Sequence, residues 1–303
     1  LPVKTKPISL KKVFENILSE EFRERVERVF IWIAIISFIL HLLLIFLVNQ
    51  DVIHLNSKLT KNPISAIYTP FSFILVYEVF LLVFYLPKSI SSYIGKQYEI
   101  ITLIVIRRIF KDIGYMELSA NWFKLESDLQ ITYDLVTAII LFFVIQQFYK
   151  NIEKQAFKIN KKSHDNDFKI QRFIKLKKTI ATILIPTVIL LAVYSFISWI
   201  VPSVQNQWND VNSFKKINNI FFEDFFILLI IIDVILLLFS FFYSDSFHKI
   251  IRNSGFIIST ILIKLSFSVE GLINNALILT AVIFGFLILL IHNAYKSDSV
   301  TDN

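Results

Sequence analysis

The chain has no cysteine, only five glycines and only seven prolines in 303 residues, and each shortage excludes something. Without cysteine there are no disulfides, thiolate metal sites or cysteine nucleophiles, although nothing follows about redox compartment. Scarce glycine and proline argue against a transporter built on unwound, discontinuous helices, and for a bundle of mostly continuous ones. P-loop, GxSxG, HExxH and CxxC patterns are all missing, and no soluble stretch is large enough to house an active site. The expectation is therefore a non-enzymatic protein without a cofactor or metal site. Arginines at every third position, the mark of a voltage-sensing helix, are also missing. So is the alternation in ten-residue segments that a membrane β-barrel requires.

What is abundant is apolar: 55% of residues are hydrophobic. Apolar runs at 30–48, 65–86, 130–149, 179–201, 220–243 and 271–292 are near the length that crosses a hydrocarbon core as a helix. The first is too long for a secretory signal and lacks a small-residue cleavage site, so no cleavable signal is expected.

The runs repeat. "YEVFLLVFYLPKSISSYI" from residue 77 matches "IDVILLLFSFFYSDSFHKI" from residue 232, placing Glu78 on Asp233. One inserted residue later, "IITLIVIRRIF" lies over "FIISTILIKLS", placing Arg108 on Lys264, and the last helices end in "QQFYK" and "HNAYK". The expected fold is an all-α polytopic membrane protein of about eight transmembrane helices in two parallel four-helix repeats. The boundaries are an amphipathic N-terminal helix in 1–28, units at 29–150 and 177–296, a basic connector at 151–176 and a tail at 297–303. Counting 97–114 and 254–268 as crossings puts 22 of the 31 Lys and Arg residues on one side, ten of them in 150–178. That asymmetry is the positive-inside pattern, so both termini are expected in the cytoplasm and the protein in a plasma or inner membrane. Its expected partners are the bilayer, anionic lipid headgroups near the connector, ions, and a second copy or a membrane-complex subunit. Nucleic acid is not among them, since topology accounts for the basic connector.

Charges within the apolar runs are the candidate functional residues. Glu78 is expected about 12 Å from the cytoplasmic side and Arg107 and Arg108 about 15–17 Å, while Asp233 and Lys264 both lie near 15 Å. A lone charge at such depth costs at least about 2.5–3.5 kcal/mol, so pairing of Glu78 with Arg107 or Arg108, and of Asp233 with Lys264, is expected. Such pairs either staple helix register or line an ion path. His41, mid-way along the first run, is a pH-switch candidate or a hydrogen-bonded packing residue. Asp134, Glu223 and Asp224, near outer helix ends, are a weaker candidate for an acidic mouth that gathers cations. Lys111 extends the basic stripe, and Glu270 belongs to a solvated link. Trp122, Trp199 and Trp208 fall where interfacial belts do. The functional expectation is an ion-conducting or ion-responsive membrane protein; its rival is a scaffold or anchor subunit with structural charge pairs.

Overall fold

Long apolar runs have to satisfy their own backbone polar groups when buried, and this chain does so with helices. The computed structural model describes residues 17–53, 63–115, 126–160, 168–205, 212–243, 247–269 and 271–301. Among these, the long elements are α1 (Glu20–Asn49), α2 (Tyr68–Tyr85), α3 (Ile90–Tyr115), α4 (Glu126–Asn160), α5 (Phe168–Gln205), α6 (Asn212–Tyr243), α7 (Phe247–Ser266) and α8 (Gly271–Thr301). A short 3-10 turn, Pro63–Ile67, precedes α2.

Helix ends follow local chemistry and shift several expected boundaries. Ser19 caps α1 by accepting the Phe22 N–H at 3.2 Å, with Glu20 and Glu21 in the first turn against the positive end of the helix dipole. No breaker separates these residues from the apolar run, so the charged segment after Ser19 is the first part of α1 rather than a separate interfacial helix; residues 9–16 lie outside the described residues. Between α2 and α3, Pro87 closes the turn and Ser89 Oγ accepts the Ser92 N–H at 3.1 Å. That cap starts α3 at Ile90, seven residues before the expected crossing begins. Helices α4 and α5 also extend into the expected connector, to Asn160 and from Phe168.

Helices α3, α4, α7 and α8 form the centre. Helix α4 packs on α8, α3 meets α7 and α8, and α1–α2 and α5–α6 flank them, joined through α2 against α3 and α6 against α7. The core is one continuous cluster, with Leu82, Tyr98, Val105, Leu141, Phe148, Leu229, Phe256 and Val282 all at 0% exposure. Large apolar side chains point the other way too: Trp32, Ile139, Leu190 and Phe242 are 64–78% exposed. Four segments, Glu20–Asn49, Leu129–Lys154, Asp224–Phe242 and Gly271–Tyr295, are long and apolar enough to cross a membrane. An apolar exterior on helices of that length suggests a membrane protein.

A close approach in the centre brings Tyr98 of α3 against Gly285 of α8. Ser259 Oγ donates to the Ala281 carbonyl at 2.7 Å, which leaves the Tyr98 hydroxyl to donate to Ser259 at 2.8 Å. A Cβ on Gly285 would lie 1.7 Å from that Tyr98 oxygen, so only glycine lets the phenol in. Gly285→Ala is expected to cost about 1–3 kcal/mol through overpacking. Thermal unfolding in detergent checks this, and Tyr98→Phe should restore part of the loss because it removes the clashing oxygen.

Candidate functional site

The interior carries its polar groups in layers. The layer nearest the C-terminal end of α3 is built around an ion pair whose carboxylate is buried and whose guanidinium is half-buried. Arg108, on α3, meets Asp134, on α4, through two parallel bonds, Nε to Oδ2 at 2.6 Å and Nη2 to Oδ1 at 2.7 Å. Arg108 Nη1 donates to Asn274 Oδ1 at 2.7 Å and Nη2 donates to Asn275 Oδ1. Gln130 Nε2 and Asn275 Nδ2 each donate to Asp134 Oδ1 at 2.7 Å. Asn274 Nδ2 closes the set on the Ser266 carbonyl at the end of α7. Asp134 is completely buried and accepts four hydrogen bonds. A pair this well satisfied offsets its desolvation, whereas a half-satisfied one would not.

This corrects three expectations. Arg108 pairs with Asp134, not with Glu78. The reason is the early start of α3: Arg108 lies 18 residues from Ile90, about 27 Å along the axis, while Glu78 lies seven residues from the same end of α2, about 10 Å in. Among the described residues no ion pair joins Glu78 to Arg107 or Arg108, or Asp233 to Lys264. Asp134, being buried and engaged, is no part of an exposed acidic mouth with Asp224, which is half-buried on α6. Arg107 is buried beside Arg108, and Lys264 occupies the last turn of α7, where a cation suits the helix dipole. The side chains of Lys111, Glu223 and Trp199, and the whole of Trp122, Trp208 and Glu270, lie outside the described residues.

A second layer sits nearer the other end. Asp233 is 4% exposed, and its Oδ2 accepts from Gln97 Nε2 at 3.1 Å. Gln97 Oε1 in turn accepts from Thr260 Oγ1 at 2.8 Å, so α6, α3 and α7 meet through one amide. Asp233, Tyr93, Asn253 and Lys177 contribute the polar wall of a cavity of about 20 Å³ for the centres of water-sized molecules; the remaining wall is apolar. That suffices for one water. At a similar depth in the first half, Lys96 pairs with Glu99 on α3, and Glu78 of α2 lies within their electrostatic reach. The Glu78 Oε2 atom is buried and accepts no hydrogen bond from the described residues. His41 is hydrogen-bonded through Nδ1 to Thr69 Oγ1 at 2.5 Å, tying α1 to the start of α2.

Between the two layers the centre is dry. Ile101, Val105, Leu141, Ile263, Ile278 and Val282 are all at most 1% exposed. The sequence reading missed Gln97, Lys96, Glu99, Asn274, Asn275 and Thr260. The adjacent amides "NN" inside "GLINNALILT" and the polar "KQYE" before an apolar run were the available signals.

No protein family, curated protein or solved structure matches the chain.

The two layers differ chemically. Asp134 cannot lose its charge without stranding Arg108, whereas Asp233 is held by neutral partners and can exchange a proton or cation without breaking an ion pair. Asp134→Asn should therefore destabilise the fold by about 3 kcal/mol or more, and Arg108→Gln combined with it should cost less than the sum of the two. A double-mutant cycle on thermal unfolding in detergent measures the coupling.

Proposed function

We propose that the chain is a polytopic membrane protein of eight crossings that moves or responds to protons or small cations, with Asp233 and Glu78 as the exchanging carboxyl groups. The observation that carries this reading is Asp233: a buried carboxyl beside a water-sized cavity, held by a neutral amide. Intramembrane carboxyls without a basic partner are the groups through which ions and protons pass in such proteins. The Arg108–Asp134 network is then the structural staple that holds the centre while the other layer exchanges.

The repeat supports the same reading. At the 156-residue offset that lays Arg108 on Lys264, Lys96 falls on Arg252 and Gln97 on Asn253. Each half thus supplies an acid on its second helix and a basic–amide pair early in its third. The helix contacts have matching halves, α1–α2–α3–α4 and α5–α6–α7–α8, meeting at α3 with α7 and α4 with α8. We take the two halves as parallel four-helix units around one core, with the connector and both ends on the cytoplasmic side. The cysteine-free chain allows this to be tested directly: single cysteines at 57, 117 and 208 should react from one side of sealed vesicles, and at 163 and 299 from the other.

A second reading rests on the layer between the polar layers, where Ile101, Val105, Leu141, Ile263, Ile278 and Val282 are at most 1% exposed and apolar. It makes the protein a scaffold or anchor in a membrane complex, with all its buried charges structural. Flux in liposomes decides between them. On the first reading, the purified protein passes protons or a small cation, and Asp233→Asn or Glu78→Gln reduces flux at least tenfold while the variants stay folded. Absence of flux across ions, pH and voltage favours the scaffold, which should then co-purify with a membrane partner.

A further inference from the structure

Lys177 and Arg252 form an unusual pair at the connector end of the bundle. Lys177, on α5, is 4% exposed, and its ammonium donates to the Lys88 carbonyl at the end of the α2 turn. Arg252, on α7, places Nε and Nη2 on Asn253 Oδ1 at 3.2 and 3.0 Å and Nη1 on His292 Nε2 at 3.2 Å. His292 Nδ1 donates to the His248 carbonyl at 3.1 Å, so its Nε2 is the acceptor and the ring is neutral in this arrangement. Every one of these partners is uncharged. Among the described residues neither cation has a carboxylate at salt-bridge distance. Asp233 lines the same water-sized cavity as Lys177 but is not at salt-bridge distance from it, and its bond goes to Gln97. The nearby Lys88 has its own acid, Glu20, at 2.9 Å.

Two neighbouring cations with no carboxylate at salt-bridge distance, Lys177 buried and Arg252 half-buried, are costly, because both lose water and each repels the other. Both effects are visible in their protonation: burial and the Arg252 charge push the Lys177 ammonium down to about 8, and burial pushes the Arg252 guanidinium down to about 10. An anion would relieve both costs. The end of α6 and the start of α7, the helix that carries Arg252, are strongly apolar at the surface, with Phe242 at 78% and Phe247 at 70% exposure. The apolar face continues along α7 through Ile251, Ile258 and Leu265, at helical spacing, towards the opposite end. Charge at one end and a long apolar track leading away from it match an amphiphile rather than a soluble anion.

We propose that Lys177 and Arg252 bind the phosphate of an anionic phospholipid headgroup, whose acyl chains lie along the exposed faces of α6 and α7. The mouth of the site is the connector end of the bundle, where basic side chains concentrate such lipids. The cavity behind it is too small for a phosphate, so the headgroup sits at the rim, bridging α5 and α7. The site is independent of the transport reading and stands whether or not the protein conducts.

The test uses the purified full-length protein in detergent, with phosphatidylglycerol, phosphatidylcholine of the same chains, or inorganic phosphate added. Native mass spectrometry counts bound lipid and thermal unfolding reads its effect. Phosphatidylglycerol should remain bound and raise the unfolding midpoint by about 3–5 °C, while phosphatidylcholine at equal concentration should not. Lys177→Gln and Arg252→Gln should each remove at least half of that shift, and Arg252→Lys and the distant exposed Lys154→Gln should keep it. Should Arg252→Gln not fold, Lys177→Gln and Arg252→Lys suffice. Equal shifts with both lipids, or an undiminished shift in folded Lys177→Gln, would overturn the proposal. A shift reproduced by inorganic phosphate alone would overturn the lipid assignment and leave a soluble-anion site.

Discussion

Everything at one end of this bundle depends on how a guanidinium is kept in an apolar interior. Arg108 brings a charge that no single neighbour can neutralise and solvate at once, so the fold spends side chains from two other helices, α4 and α8, and a backbone carbonyl from α7 on it. Asp134 provides the opposite charge, Asn274 and Asn275 complete the guanidinium's hydrogen bonds, and Gln130 completes those of the carboxylate. The requirement to satisfy each of these atoms fixes the rotation of α3 against α4 and α8 far more narrowly than apolar packing does, since leucines and isoleucines pack in many registers and a fork of hydrogen bonds in very few. With those three helices fixed, α7 is fixed as well through Ser266 and through the Tyr98–Ser259 contact.

The rest of the interior shows the same economy at lower charge. Gln97 serves as the amide counterpart of that fork, one end on a carboxyl and the other on a hydroxyl. Thr102 donates to the Tyr98 carbonyl within its own helix, so a polar residue in the dry layer needs nothing from its neighbours. The contrast between a layer that cannot tolerate a change of protonation and one that can is the physical basis for assigning structure to the first and exchange to the second.

The membrane class and the helical fold were legible in the sequence because they rest on run length and composition, which survive any choice of partner. The existence of buried charge was legible for the same reason. Pairing was not. It depends on axial depth, and depth depends on where a helix starts; Ser89 capping moved α3 seven residues earlier and carried Arg108 past the reach of Glu78 towards Asp134. The amides were passed over because asparagine and glutamine carry no charge to flag them, although an arginine in hydrocarbon requires more acceptors than one carboxylate supplies. The burial of Asp134 is not legible in the sequence, since position near a helix end says nothing about which face of the helix looks inward.

The hydrogen-bonded fork around Arg108 also has a time dimension. Arg108 and its two asparagines are separated by 166 and 167 positions in the chain. At about 5–20 residues per second of synthesis, the charged pair waits on the order of ten seconds before α8 is made to complete it. During that interval the arginine lacks the two asparagine acceptors it holds in the finished fold. Its finished state is thus unreachable by the first four helices alone, and α8 acts as the delayed lock on an assembly begun much earlier.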